Sequence, residues 1–206
     1  MCPRPYRMEK RRASRDETRQ RILDAVRELL SSDASPALTM EAVAGRADVS
    51  RLTIYYQFGS RAGLLEALYD DLAARGRMQR MAEVFQESNL SGAIARMVET
   101  FVDFWSTDPA VMRRLRAMGV LDAEIGEGIR ARDARRSHIA RELMKRAGAN
   151  AGKRTSAPSA EAAAVLAMLT SFETYDALAR AGHGRDAIVA TLRRLAECLG
   201  ERPFKD

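Results

Sequence analysis

Three hydroxyl residues, Thr39, Ser50 and Ser60, each stand directly ahead of a run with helical apolar spacing. Such residues cap helices, because the side-chain oxygen accepts a bond from a backbone N–H that the first turn leaves unpaired. Their closeness limits this part of the chain to short helices joined by tight turns. Thr39 opens a segment with Met40, Val43, Ala44 and Ala47 on one side. Position 42 is Ala42, so no capping box forms and the cap is simple. A turn near Asp48–Val49 follows, Ser50 starts the next helix, and Gly59 ends it. Ser60 then begins a fourth helix with Leu64, Leu65, Leu68 and Leu72 on one face, expected to continue into the eighties.

The remainder reads as helix too. The first helix is expected from about Asp16 to Ser31, with Ile22, Val26, Leu29 and Leu30 on one stripe. Helices are expected at 91–106, from Asp108–Pro109, at 122–147, from Ser159 to about Ala181, and at 185–199. Gly148 to Pro158 is the clearest loop, and Gly182–His183–Gly184 breaks the helix before it. No strand-like alternation of useful length occurs. The organisation is therefore all-α: a basic arm over 1–15, a cluster of short helices over 16–60, and longer helices over 61–206.

Lysine and arginine number 34 against 28 acidic residues, a formal charge of +6. This balance favours a polyanionic partner, nucleic acid or an anionic surface. No apolar run reaches membrane-spanning length, and the basic N-terminus lacks the apolar stretch of a signal peptide. Cys2 and Cys198 form no metal-ligand spacing. Together these features point to a cytoplasmic protein without metal or cofactor. An enzyme lacks support: there is no phosphate-binding glycine loop, no metal set and no nucleophile–histidine signature.

Two short capped helices across a tight turn make a helix-turn-helix, whose second helix enters the major groove. Residues 49–58, VSRLTIYYQF, supply that helix. Arg51 can donate two bonds to guanine, and Thr53 can meet a base edge or a thymine methyl. Tyr55, Tyr56, Gln57 and the capped helix start at Ser50 suit phosphate oxygens. Leu52, Ile54 and Phe58 are assigned to packing. The arm adds Arg4, Arg7, Lys10, Arg11, Arg12 and Arg15, which would reach a minor groove or phosphates, or remain a solvated tail.

The stretch from Thr18 to about Leu68, with TRQRILDAVRELL and LTMEAVAGRADVSRLTIYYQFGSRAGLLEAL, resembles the tetracycline-repressor (TetR) family of bacterial regulators. The resemblance implies a three-helix helix-turn-helix domain bridged by a fourth helix to a helical ligand-binding and dimerising bundle. It implies phosphate contacts at Thr39, base reading by Arg51 and Thr53, backbone contact by Tyr55, base or phosphate contact by Tyr56, and a phosphate clamp at Arg61. It also implies that the last two helices pair with their copies in a homodimer. Three positions depart from the pattern: Gln57 where histidine is frequent, Asp48 where glycine is common, and Gly63 where a helix former is usual. The last would cost about 1 kcal/mol against alanine.

Phe101, Phe104 and Trp105 crowd one segment, and Phe172, Tyr175 and Asp176 another. Each set is either bundle core or the wall of an effector pocket, since such pockets are mostly apolar. Asp103, Glu173 or Asp176 could meet a basic ligand or face solvent. Arg130, Arg132, Arg135, Arg136 and Arg141 are expected on a solvated face, and His138 and His183 as structural or exposed residues. The stripes Ala162, Val165, Leu166, Leu169 and Ile188, Leu192, Leu195, Leu199 are offered to a second copy. The expected function is a homodimeric regulator on double-stranded operator DNA, a repressor released by a small-molecule effector. The alternatives are an activator on the same scaffold, or a basic helical protein on an anionic membrane surface or a protein partner.

Overall fold

A computed structural model describes residues 4–32, 38–150 and 160–201, with side chains over 12–32, 38–146 and 160–197. Among the described residues every regular element is helical. Helix α1 spans Arg4–Ser31. The residues expected to form a separate arm thus extend α1 from Arg4 onward, and the side chains of Arg4, Arg7, Lys10 and Arg11 lie outside the described ones.

The short helices begin and end where their caps dictate. Helix α2 is Met40–Ala47, with the Thr39 hydroxyl accepting from the Ala42 N–H at 3.1 Å. Asp48 closes it in the left-handed region, φ 51°. Aspartate tolerates that region better than most residues do, which lets this turn form without glycine. Helix α3 is Arg51–Phe58, its start held by Ser50 Oγ accepting from the Thr53 N–H at 3.1 Å. Helix α4 is Arg61–Arg75, capped by Ser60, whose Oγ accepts from the Gly63 N–H at 3.0 Å.

Glycine at 63 is a steric requirement. A Cβ there would sit 2.0 Å from the Phe58 carbonyl oxygen, so the tight α3–α4 turn excludes the helix former that usually stands here. Helix α4 does not run into the eighties. It stops at Arg75, Arg77 turns left-handed at φ 56°, and a 3₁₀ turn (78–80) leads into the one-turn α5, Met81–Val84.

The larger part holds α6 (Leu90–Thr107), α7 (Pro109–Gly119), α8 (Ala123–Asn150), α9 (Ala160–Leu169), α10 (Phe172–Arg180) and α11 (Arg185–Glu201). The single helix expected to start at Ser159 is two. Thr170 and Ser171 interrupt it, and Ser171 Oγ accepts from the Thr174 N–H to start α10. The loop expected over 148–158 lies mostly outside the described residues, and its start, through Asn150, belongs to α8.

Helices α1 to α4 pack around Ile22, Val26, Val43, Ile54 and Leu68, all essentially without solvent contact. In the larger part α6 packs on α11, and α8 on both α7 and α9. The stripes offered to a second copy are largely used within the chain. Ala162, Leu166, Leu169, Ile188 and Leu192 are buried in its own core, and the Leu199 side chain lies outside the described ones. Met168 and Leu195 remain exposed on α9 and α11.

Candidate nucleic-acid interface and its coupled cavity

Helix α3 buries one side chain, Ile54, and half-buries Phe58 against the core. Leu52 does not pack as expected. It is 77% exposed, because on a helix of eight residues the inward stripe has room for Ile54 and Phe58 only. Leu52 therefore joins Arg51, Tyr55 (39% exposed) and Tyr56 (75%) on the outward side. Thr53 is half-buried and its hydroxyl shares a 2.9 Å hydrogen bond with Ser50 Oγ, which orients both at the helix start. Arg51 pairs across the turn with Glu41 of α2 at 2.5 Å. Both partners are exposed, so this pair is weak enough to yield to a stronger acceptor.

Helix α1 borders the same surface. Gln57 accepts from Arg15 Nε and donates to the Arg15 carbonyl, each at 3.4 Å. Arg15 lies 5.6 Å from the Tyr56 ring centroid, and Arg19 4.5 Å from that of Phe58. Arg12 is exposed one turn earlier on the same helix. The result is a polar, aromatic and cationic surface around a protruding short helix. Thr39, at the start of α2, is exposed with its hydroxyl already capping.

Arg61 is placed differently from the open phosphate clamp expected of it. Its guanidinium donates to Asp122 Oδ2 at 2.6 Å and also pairs with Glu124, both at the start of α8. The hydrogen bond that Arg61 donates to Asp122 raises the Arg61 pKa, and the same contact lowers that of Asp122. Arg61 thus ties the first turn of α4 to the larger part of the molecule. Three further links lie nearby. Arg27 of α1 grips Asp108 at the start of α7 in a bidentate pair at 2.8 to 3.2 Å. Tyr69 of α4 reaches α8, its hydroxyl donating to the Ile125 carbonyl at 3.3 Å. Arg132 of α8 stacks 3.8 Å from the Tyr69 ring centroid and pairs with Glu66 of α4. Burial pushes the Tyr69 hydroxyl up to about 12, so it stays a donor. Glycine at 128 permits the approach, since a Cβ there would lie 2.7 Å from the ring.

Beside Tyr69 lies a cavity of about 230 Å³ between α4, α6, α7 and α8. Of the six residues expected to line an effector pocket, Phe101, Phe104 and Trp105 line this cavity. Phe172 and Tyr175 are not in its wall; they are buried in the aromatic core, with Phe172 5.5 Å from Trp105. Asp176 is bound to Arg113 at 2.6 Å. The other two candidate acids are also engaged elsewhere: Asp103 with Arg80 and Arg185, Glu173 with Arg116.

Two acids do line the cavity: exposed Asp70, and Asp133, held between Arg116 at 2.8 Å and Arg136 at 2.6 Å. Burial alone would raise the Asp133 pKa, but the two guanidinium groups outweigh burial and hold it below the usual carboxylate value. Arg136 is 8% exposed and donates to the Ala167 carbonyl. The arginines of α8 are therefore not one solvated face. Arg130, Arg135 and Arg141 are exposed, whereas Arg132 and Arg136 turn inward. Their i, i+4 spacing was visible, but which face of α8 meets α4 and α9 is set by packing.

Residues 22–68 match the family model for bacterial regulatory proteins of the tetR family. The chain is 33% identical over 113 residues to the HTH-type transcriptional regulator AlkX of Mycobacterium tuberculosis, covering 53% of each chain. It is 30% identical over 122 residues to the nucleoid occlusion factor SlmA of a Marinomonas species, covering 57% of this chain and 58% of SlmA. The chain thus spans about half the length of the curated relatives it matches. Solved structures extend the likeness of fold over nearly the whole chain. A TetR-family regulator from a Rhodococcus species superposes with a TM-score of 0.69 at 20% identity, covering 89% of this chain and 99% of that one. One from Syntrophomonas wolfei gives 0.70 at 14% identity, covering 91% and 96%. With the capped helix-turn-helix, the outward face of α3 and the bridging α4 all in place, residues 22–68 form a DNA-binding module of the tetR type, and the chain shares the fold of TetR-family regulators.

Proposed function

We propose that the protein is a homodimeric DNA-binding repressor that leaves a near-palindromic operator when a small molecule fills the cavity beside Trp105. The observation that carries this is the outward face of α3, where Arg51, Leu52, Tyr55 and Tyr56 stand clear of the fold. Arg51 and Thr53 read bases there, and Leu52 adds an apolar contact of the kind a thymine methyl offers. Tyr55, Tyr56, Gln57 and the capped helix starts at Thr39 and Ser50 position the protein on phosphates. In a dimer, two copies of α3 enter successive major grooves, about 34 Å apart. Exposed Met168 and Leu195 on α9 and α11 support an interface between those helices and their copies. The site of action is the cytoplasm, where the operator is.

The links between α4 and α8 support the release step. A ligand between Tyr69 and Asp133 touches both helices, and the start of α8 holds Arg61 through Asp122 and Glu124. Moving α8 against α4 re-aims α3 or changes whether Arg61 is open to phosphate. Release requires that the ligand bind the DNA-free arrangement more tightly than the DNA-bound one. Duplex titration at fixed salt tests the DNA face. Thr53→Ala/Tyr56→Ala should lose operator binding while keeping its helical circular dichroism. A folded double variant that binds the operator like the wild type would overturn the assignment to α3.

A further inference from the structure

The charge inside the cavity narrows what it can hold. One wall is apolar, built by Phe101, Phe104, Trp105 and Met112. The polar side is formed by four arginines, Arg116, Arg132, Arg135 and Arg136, against two carboxylates, Asp70 and Asp133; Arg116 and Arg136 grip Asp133. The acids that balance the other guanidinium groups face solvent: Glu66, paired with Arg132, is 58% exposed, and Glu173, paired with Arg116, is 63% exposed. Exposed charges are screened within about a Debye length, ~8 Å at physiological salt, while inward charges are screened far less. Asp70 and Arg135, also in the lining, are both exposed and so are screened in the same way. The field inside is therefore positive.

Asp133 does not reverse that sign. Its two oxygens already accept three bonds, from Arg116 at 2.8 and 3.2 Å and from Arg136 at 2.6 Å. A cationic ligand would have to compete with two guanidinium groups for this carboxylate and weaken their pairing to it. An anion adds an acceptor to groups that carry only donors. Size sets the other bound. At ~30 Å³ of liquid volume per water, a cavity of about 230 Å³ holds a molecule of modest size.

Building on the reading of this cavity as the effector site, we propose that it takes a small amphiphilic monoanion, a carboxylate carried on an apolar ring or short chain. The apolar part lies against Trp105 and Phe104, and the carboxylate meets the guanidinium of Arg116, which stacks 5.8 Å from the Trp105 ring centroid.

Trp105 is the sole tryptophan of the chain, so its emission reports occupancy directly. The probes are cyclohexylacetate, 2-cyclohexylethanol and 2-cyclohexylethylammonium, similar in size, transparent at the excitation wavelength and different in charge. Titrated into the full-length protein, the carboxylate should bind at least ten-fold more tightly than the ammonium ion, with the alcohol between. Arg116→Gln should reduce the carboxylate-to-alcohol affinity ratio at least several-fold, a ratio insensitive to a general loosening of the fold. Equal or tighter binding of the ammonium ion, an unchanged ratio in the variant, or no emission change with any probe would overturn the proposal. DNA release is scored separately, by anisotropy of a labelled operator. A carboxylate that binds without altering operator affinity leaves the anion site standing and removes the release reading. An alcohol that binds and releases as well as the acid does the reverse.

Discussion

At the scale of single residues, Gly63 and Leu52 show how far local rules reach. Helix propensity favours alanine over glycine at position 63 by about 1 kcal/mol. Forcing a Cβ to within 2.0 Å of the Phe58 carbonyl opposes it, and overpacking costs typically 1–3 kcal/mol. The neighbour is backbone in a tight turn, so the steric cost wins. Gly63→Ala should lower the melting temperature and weaken DNA binding by displacing α3; a variant at least as stable as the wild type would remove the steric account. Leu52, exposed on α3, should behave in the opposite way. Leu52→Ser should leave thermal stability within about 0.5 kcal/mol, as surface changes usually do, yet weaken operator binding in a titration. The sequence made the caps at Thr39, Ser50 and Ser60 legible because each acts within its own turn. It left Leu52 ambiguous because two turns carry too little periodicity to separate an inward leucine from an outward one.

At the scale of elements, the informative contact is between the start of α4 and the start of α8. Asp122 and Glu124 hold Arg61, a cation three residues beyond the end of α3. Asp122→Asn/Glu124→Gln frees it. The double variant should bind duplex DNA more tightly and show a salt slope steeper by about one, the signature of one added phosphate contact. An unchanged slope would mean that Arg61 does not reach phosphate. The second measurement at this scale is acid stability. Asp133, Asp122 and Glu66 are all held below their ordinary values by arginines. A carboxyl depressed in the folded state contributes fully above its unfolded value, near 3.9 for aspartate. That contribution is lost as pH falls through the lower folded value. Stability should therefore fall with acid below about pH 4, and Asp133→Asn should flatten that fall in pH-dependent denaturant melts. None of this pairing was legible in the sequence. The i, i+3 spacing of Asp133 and Arg136 also fits a solvated helix surface, and only the seating of α8 against α4, α7 and α9 turns it inward.

At the scale of the whole molecule, a helix-turn-helix part is fastened to a bundle with a charged cavity. The all-helical organisation followed from periodicity and caps. Where the bundle's apolar stripes point did not, since Leu166 and Ile188 serve this chain's own core although the same pattern would serve a dimer. The pocket was half legible: Phe101, Phe104 and Trp105 cluster within one helix, while Arg116, Asp133 and Arg136 meet only through tertiary packing. The most direct test of DNA reading by α3 is selection of bound sequences from a random duplex library, by the wild type and by Arg51→Ala in parallel. The wild type should enrich an inverted repeat with half-site centres about one helical turn apart or slightly more. In the variant one symmetry-related base pair should become degenerate, with a loss of about 1–3 kcal/mol at the wild-type site. No enriched repeat, or the same repeat equally sharp at every position in both proteins, would contradict it.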